Sequence, residues 1–280
     1  MAVTIVKASG RPEEFHIQKL VNSLIRSGAS EDAAWDIARQ VEKQVAPSMN
    51  TKHIFRMARR LLRKYSRTSD MRYSIKKAIY SLGPSGYPFE KFFARILKEE
   101  GYSVEVNPVL EGHCVTHEVD VLAVRNDSGF VIECKYHGNG GIPTDVKTAL
   151  YVYSRFSDVK KAYDLIADRK IFIRQGWLVT NTRCTTDAIK YAECVGLKIV
   201  SWKYPERESL ERLIENKRLY PVTILSSVRK SSLDHLFSNG IILAKDIADM
   251  DEQAFIGRSG LDSSSAKILK KEADELYFSP

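Results

Sequence analysis

His117-Glu118-Val119-Asp120-Val121-Leu122-Ala123-Val124 and Phe130-Val131-Ile132-Glu133-Cys134-Lys135-Tyr136 decide the reading of this chain. Each segment has the composition of a β-strand, and Asn126-Asp127-Ser128-Gly129 between them has the turn chemistry of a hairpin. Residues two apart share a face of a strand. Glu133 and Lys135 therefore point one way, as do Glu118 and Asp120, while Ile132, Cys134 and Tyr136 take the opposite face. Closing the hairpin brings Asp120 beside Glu133, with Lys135 close by. A hard divalent cation takes oxygen ligands and keeps several waters, so Asp120 and Glu133 are candidate metal ligands for Mg2+ or Mn2+. Such a cation lowers the pKa of a water and stabilises charge on a phosphodiester. Lys135 is placed to orient that water or offset the developing charge. An isolated E-x-K is a common surface pairing. The spaced Asp, the two apolar strands and the turn set this one apart.

The flanks extend the pattern. Phe89, Phe92, Phe93, Ile96 and Leu97 recur at helical spacing over Phe89 to Glu100, and Gly101 is a helix stop. A strand is expected over Tyr102 to Val106. After the hairpin comes a glycine-rich loop, Gly138-Asn139-Gly140-Gly141. A helix from about Thr144 to Phe156 follows, with Val146, Ala149, Leu150 and Tyr153 on one face. A strand at Gly176 to Thr180, a helix at Thr185 to Val195 and a strand at Leu197 to Trp202 complete the series. Helices and strands in this order build an α/β sheet with helices on both faces.

Residues 84–204 resemble a PD-(D/E)xK nuclease domain, nearest to the Mrr-type restriction endonucleases. The likeness is carried by Phe89-Glu90 on the first helix, V-D-V-L-A at 119–123 and E-C-K-Y at 133–136. It implies a metal-dependent endodeoxyribonuclease, with Asp120 and Glu133 as metal ligands and Lys135 as the catalytic lysine. It also implies Glu90 as the acidic residue of the first helix. One departure is plain. Many Mrr-type domains place a Gln on the helix after E-x-K, whereas this chain reads Asp145-Val146-Lys147-Thr148. Either Lys147 substitutes or the position is unused, so strand-cleavage specificity stays open.

A chain of 280 residues leads us to expect two or three domains. Its 44% hydrophobic and 10% aromatic content fits a globular protein. No apolar run is long enough for a bilayer and the start has no signal-peptide pattern, so no membrane partner is expected. Cys114, Cys134, Cys184 and Cys194 lack CxxC spacing and read as reduced thiols of a cytoplasmic protein. The other use for His113, Cys114 and His117 is a zinc site. Charge is unevenly distributed. Residues 1–85 hold 16 Lys/Arg against 7 Asp/Glu, while the whole chain carries a net +8, so the basic surface belongs to the N-terminal part. There, Arg56, Arg59, Arg60, Arg63, Lys64 and Arg67 accompany an apolar stripe of Ile54, Phe55, Ala58, Leu61 and Leu62. Three uses suit this pattern: a solvated face, a nucleic-acid track, or a pocket for nucleotide phosphates.

The N-terminal part reads as a strand at Val3 to Lys7, a turn at Ala8-Ser9-Gly10-Arg11, and four helices. The helices begin near Ile17, Glu31, Thr51 and Met71, the second ending at Gln44, the third at Tyr65 and the fourth at Leu82. The pattern V-x-K-x-x-G…F-x-x-x-K-L resembles the ATP-cone, a nucleotide-sensing regulator of ribonucleotide reductases and their repressor. The resemblance implies ATP or dATP as a regulatory ligand, met by Ile5, Lys7, Glu13 and Lys19. Ala8-Ser9 stands where an Arg-Asp pair is usual, and a helical module used only for oligomerisation is the competing reading. Gly83-Pro84-Ser85-Gly86-Tyr87-Pro88 reads as a linker. A second break falls near Tyr204-Pro205, followed by a charged helix from Glu206 to Lys217. Beyond it, Asn239-Gly240-Ile241-Ile242 and Ser259-Gly260-Leu261-Asp262 precede helical stretches in a layout similar to helix-hairpin-helix domains. There a Gly turn aims N–H groups at phosphate, with Lys267, Lys270 and Lys271 able to assist. A plain interaction domain has the same outline.

The expectation is therefore a multidomain protein in three parts. Residues 1–83 form a helical ATP-cone with a small β-hairpin. Residues 84–204 form an α/β restriction-endonuclease-like core with a mixed sheet. Residues 205–280 form a small α domain. The expected partners are DNA, nucleotide and further copies of the chain. A junction-cleaving repair nuclease and a non-catalytic, nucleotide-responsive DNA-binding regulator remain the alternatives.

Overall fold

The computed structural model describes residues 3–7, 10–168 and 170–278. The expected turn residues Ala8 and Ser9 lie outside the described residues. The chain forms two compact units, one of Met1–Ile79 with Val222–Pro280 and one of Tyr80–Pro221.

The first unit opens with an antiparallel pair, β1 (Thr4–Val6) and β2 (Pro12–Glu14), in which Ile5 faces Glu13. Then come α1 (Ile17–Arg26), α2 (Glu31–Glu42), α3 (Thr51–Tyr65), α4 (Arg67–Tyr73) and α5 (Ile75–Tyr80). Side chains satisfy the free N–H groups at the helix starts: Ser30 accepts from Ala33 N at 3.3 Å and Asn50 from Lys52 N at 2.8 Å. Leu20, Val21 and Leu24 of α1 pack with Ile37 and Val41 of α2 and with Ile54 and Leu62 of α3. The single helix expected over 71–82 is instead two. Ser66 caps α4 by accepting from Ser69 N at 3.1 Å, and Ser74 Oγ donates to the Met71 carbonyl at 2.8 Å, ending it. Such local serine bonds compete with helix propagation.

The second unit contains α6 (Tyr87–Glu99), β3 (Ser103–Val106), β4 (Val109–Glu111), β5 (Thr116–Glu118), β6 (Val121–Arg125), β7 (Ser128–Lys135), α7 (Val146–Asp164), β8 (Phe172–Thr180), α8 (Thr186–Val195), β9 (Lys198–Val200) and α9 (Leu210–Lys217). Five strands form a mixed sheet in the order β3-β6-β7-β8-β9. The β3, β6 and β7 pairings are antiparallel, and β7, β8 and β9 run parallel through the crossover helices α7 and α8. The β6–β7 hairpin turns on two residues, Asn126 and Asp127, at φ 50° and 58° with Arg125 opposite Ser128. Asn and Asp accept that left-handed backbone more readily than other non-glycine residues.

Several local expectations are corrected. The strand expected over 117–124 is broken before Asp120: β5 pairs with β4 as a small separate sheet, and Val119 N bonds to the Pro108 carbonyl. The two-residue alternation therefore does not run from Glu118 to Asp120. Tyr87 and Pro88, read as linker, form the first turn of α6, where a proline loses no helical hydrogen bond. α7 runs on to Asp164, and its buried stripe is Ala149, Val152, Phe156 and Val159. Leu150, expected on that stripe, is 44% exposed. The charged helix expected from Glu206 starts at Leu210 and lies within the second unit.

The C-terminal helices α10 (Lys230–Ser238), α11 (Ala244–Ala248), α12 (Glu252–Ser259) and α13 (Ser263–Phe278) complete the first unit. Glu272 on α13 is buried; it accepts from Ser227 N at 3.0 Å and Ser227 Oγ at 2.8 Å and pairs with Arg67. Gly240 and Gly260 end α10 and α12 at φ 70° and 69°. The N–H groups after Gly240 are not free for a phosphate: Ile242 and Leu243 donate to Asp246 Oδ2 at 3.0 and 2.8 Å. Lys270 is likewise spent on Asp274 at 2.6 Å. No helix among the described residues is long and apolar enough to cross a membrane.

Candidate active site

The β6–β7 register builds the site. Val121 lies opposite Ile132, which brings Asp120, one residue earlier, level with Glu133. Asp120 Oδ2 accepts from the Cys134 backbone N–H at 2.6 Å, so a strand donor fixes the carboxylate. Asn107, at φ 54°, ties a third acid to this point. Its backbone N–H donates to the Asp120 carbonyl at 3.0 Å, and its side-chain amide donates to Glu90 Oε2 at 3.1 Å. Asn107 thus links Glu90 of α6 to the Asp120 backbone, while the register sets Asp120 beside Glu133 of β7.

Burial sets their electrostatics. It holds the Glu90 and Asp120 carboxyls above their ordinary range. Glu133 is pushed up to about 8, first by burial and then by the Asp120 charge, while Arg155 pulls the other way. Arg155 reaches in from α7, with Nη1 2.5 Å from Glu133 Oε1 and Nη2 donating to the Glu118 carbonyl. The contact is an ion pair without in-line N–H geometry, so Oε1 accepts no hydrogen bond. The Arg155 charge offsets part of the cost of burying this carboxylate.

Glu133, Lys135, Lys147, Thr148, Tyr151 and Val152 line a cleft of about 420 Å³ together with Cys134 and Leu178. Lys135 makes no ion pair among the described residues. The loop after it is pinned: His137 N donates to Asn181 Oδ1 and Asn181 Nδ2 returns a bond to the His137 carbonyl, both at 2.8 Å. His137 Nε2 lies 3.0 Å from Thr144 Oγ1, and its pKa is lowered by burial and then by Lys135. Lys147 of α7 reaches the same cleft as Lys135.

Asp120 and Glu133 supply oxygen donors of the kind Mg2+ takes while keeping waters, with Arg155 standing against Glu133 Oε1. Among the described residues no three His, Cys, Asp or Glu side chains converge closely enough to form a metal cage. Of the groups read as a zinc alternative, His117 Nε2 lies 2.8 Å from Asp158 Oδ2 and the Cys114 thiol also bonds to Asp158, which raises its pKa.

In the first unit, Lys7 and Lys19 each sit 2.7 Å from Glu13, on its two different oxygens, and Ile5 is buried opposite it. The hydrogen bonds from Lys19 and then Lys7 draw the Glu13 carboxyl down to about 2. Lys7 of the hairpin and Lys19 of α1 thus share a single carboxylate. Arg155 and Asn107 were not found by sequence reading. A single Arg on a long helix and an Asn after a strand carry no motif, and only the register shows where they reach.

Comparison with known proteins places these features. Residues 83–206 match the restriction endonuclease catalytic family, and residues 220–277 match the AF1548-like C-terminal family. An uncharacterized protein of Archaeoglobus fulgidus is 38% identical over 183 residues, covering 65% of this chain and 98% of its own length. The chain belongs to the AF1548-like family. The crystal structure of AF1548, described as a protein of unknown function, superposes with a TM-score of 0.60 at 36% identity, over 69% of this chain and 98% of that one. This AF1548-like chain thus joins a restriction-endonuclease-like domain to an AF1548-like C-terminal domain, and Asp120, Glu133 and Lys135 fall within the former.

Proposed function

We propose that this AF1548-like protein is a metal-dependent endodeoxyribonuclease of the Mrr type. The observation that carries the reading is the pairing of Asp120 and Glu133 by the β6–β7 register, with Lys135 two residues along β7 on the Glu133 face. A divalent cation held by Asp120 and Glu133 would supply an acidified water and stabilise charge on the scissile phosphate. The chain's own groups do the rest. The Cys134 N–H orients Asp120. Arg155 fixes Glu133 and favours its ionised form. Lys135, with no carboxylate partner among the described residues, remains available to a phosphate oxygen or to the attacking water. Lys147 at the rim adds a second cation for the backbone. ATP or dATP at the Lys7–Glu13–Lys19 cluster regulates cutting, the nucleotide phosphates replacing Glu13 as partner of the lysines. Cutting both strands of a duplex calls for a homo-oligomer, since one site severs one strand.

The test is cleavage of plasmid and linear duplex with Mg2+ or Mn2+, with and without ATP and dATP, using Asp120→Ala as control. Metal-dependent cutting by the wild type, reduced at least a thousandfold in the variant, is expected. Equal cutting by both would remove Asp120 from the site, and no cutting of any duplex would overturn the nuclease reading.

A further inference from the structure

Helix α3 has no acidic residue along its whole length, Thr51–Tyr65. Its apolar side is buried through Ile54, Met57, Ala58 and Leu62, which fixes the opposite face toward solvent. Lys52, Arg56, Arg60, Arg63 and Lys64 are all exposed on that face. At 100° per residue they fall within an arc of about 120°, and from Lys52 to Lys64 the rise is roughly 18 Å. None of the five pairs with a carboxylate among the described residues. Arg59, on the same helix, is handled differently: its guanidinium makes two bonds to the buried Asp70, at 2.6 and 3.0 Å. One arginine therefore serves the fold, and five cations are left standing in a row.

We propose that this face of α3 docks on the phosphate backbone of duplex DNA. Each strand carries one phosphate per about 3.4 Å of helix axis, so an 18 Å row of cations spans several phosphates. That row is too long for the triphosphate of a single nucleotide. An anionic membrane is a poorer match, because membrane-surface helices set large apolar side chains beside their cations and the apolar side of α3 is buried in the unit's own core. Such contacts carry no sequence information; they add affinity and register. The inference rests on the reading that the protein acts on DNA.

The test uses the full chain with Arg56, Arg60 and Arg63 all changed to Gln, and a second variant with all three changed to Lys. Binding to a labelled duplex is followed by anisotropy in chelator over a range of salt, so that no cutting intervenes. Binding to phosphatidylserine vesicles is measured in parallel. The Gln variant is expected to melt like wild type, to bind DNA on the order of a hundredfold more weakly at 0.1 M salt, and to lose about 2.7 from the slope of log K against log salt. The Lys variant should keep the slope. DNA affinity and slope equal to wild type in the Gln variant would overturn the proposal, as would a loss confined to vesicles. A protein that cuts DNA while its Gln variant binds normally sinks the α3 surface and leaves the nuclease standing. A protein that binds through α3 and never cuts does the reverse.

Discussion

The Arg155 guanidinium lies 2.5 Å from Glu133 Oε1, linking α7 to β7. Glu133 is nonetheless pushed up to about 8, because burial and the Asp120 charge outweigh the arginine. The arginine is thus the cation that favours the ionised form of Glu133. Replacing it with the neutral Arg155→Met removes that pull. With Mg2+ well below saturation, where cutting follows metal uptake by the ionised carboxylate, the pH profile of kcat/KM is expected to shift its rising limb upward by about one pH unit or more, equivalent to about 1.4 kcal/mol per unit. Arg155→Lys, which keeps a charge without the planar fork, should fall between the two. An unmoved limb in Arg155→Met would make the arginine a packing residue only.

The same carboxyl ties stability to pH. Its folded pKa of about 8 lies above the ordinary Glu value of 4.5. The unfolded chain therefore releases its proton first, and stability falls as pH rises from about 4.5 through 8. Metal-free protein is expected to lose melting temperature over that window, and Glu133→Gln should flatten the loss. Mg2+ should stabilise the wild type more at pH 8.5 than at pH 6, because at the lower pH it must displace a proton. A wild-type melting curve that does not change from pH 5 to 9 would contradict the buried-carboxyl account.

Much of the second unit was legible because its signals are local. The Asn126-Asp127 turn, the apolar strands around it, and Gly101 after the first helix each act within a few residues, and the hairpin and α6 follow from them. Asp120, Glu133 and Lys135 could be paired in advance because one hairpin holds all three. What could not be read is what long-range contact decides. The break before Asp120 depends on Val119 bonding to Pro108 and on Asn107 bonding to Asp120. The buried stripe of α7 depends on how far the helix runs past Phe156. The partnership of residues 3–79 with 222–278 joins segments that no periodicity connects.

The first-unit hairpin offers a separate test. Lys7 and Lys19 share Glu13, whose carboxyl they draw down to about 2. A triphosphate arriving there must compete with Glu13 for the lysines. Lys7→Ala with Lys19→Ala is expected to abolish ATP and dATP binding by calorimetry while leaving nucleotide-free cutting intact. Glu13→Gln should tighten nucleotide binding, by removing both the competitor and a like charge. Unchanged binding in the double variant would leave the cluster as a brace for the hairpin.

Glu272 bears on how the chain should be dissected. Its carboxylate is buried and holds Arg67 of α4 together with the Ser227 N–H and hydroxyl. Breaking a buried pair by removing one partner costs about 3–5 kcal/mol. The solvent around Arg67, whose side chain is 42% exposed, places the loss toward the lower end. Glu272→Ala should therefore lower the unfolding free energy by roughly 3 kcal/mol in urea, with Glu272→Gln less damaging because it can still accept from Ser227. Deleting residues 222–280 removes this partner and every other contact of α13, so a truncated chain that loses DNA or nucleotide binding reports on the folding of residues 3–79 before it reports on any ligand. The point variant discriminates. Lost stability with retained binding makes the C-terminal helices a structural complement of the N-terminal ones. Lost binding at full stability would instead assign Glu272 to a ligand.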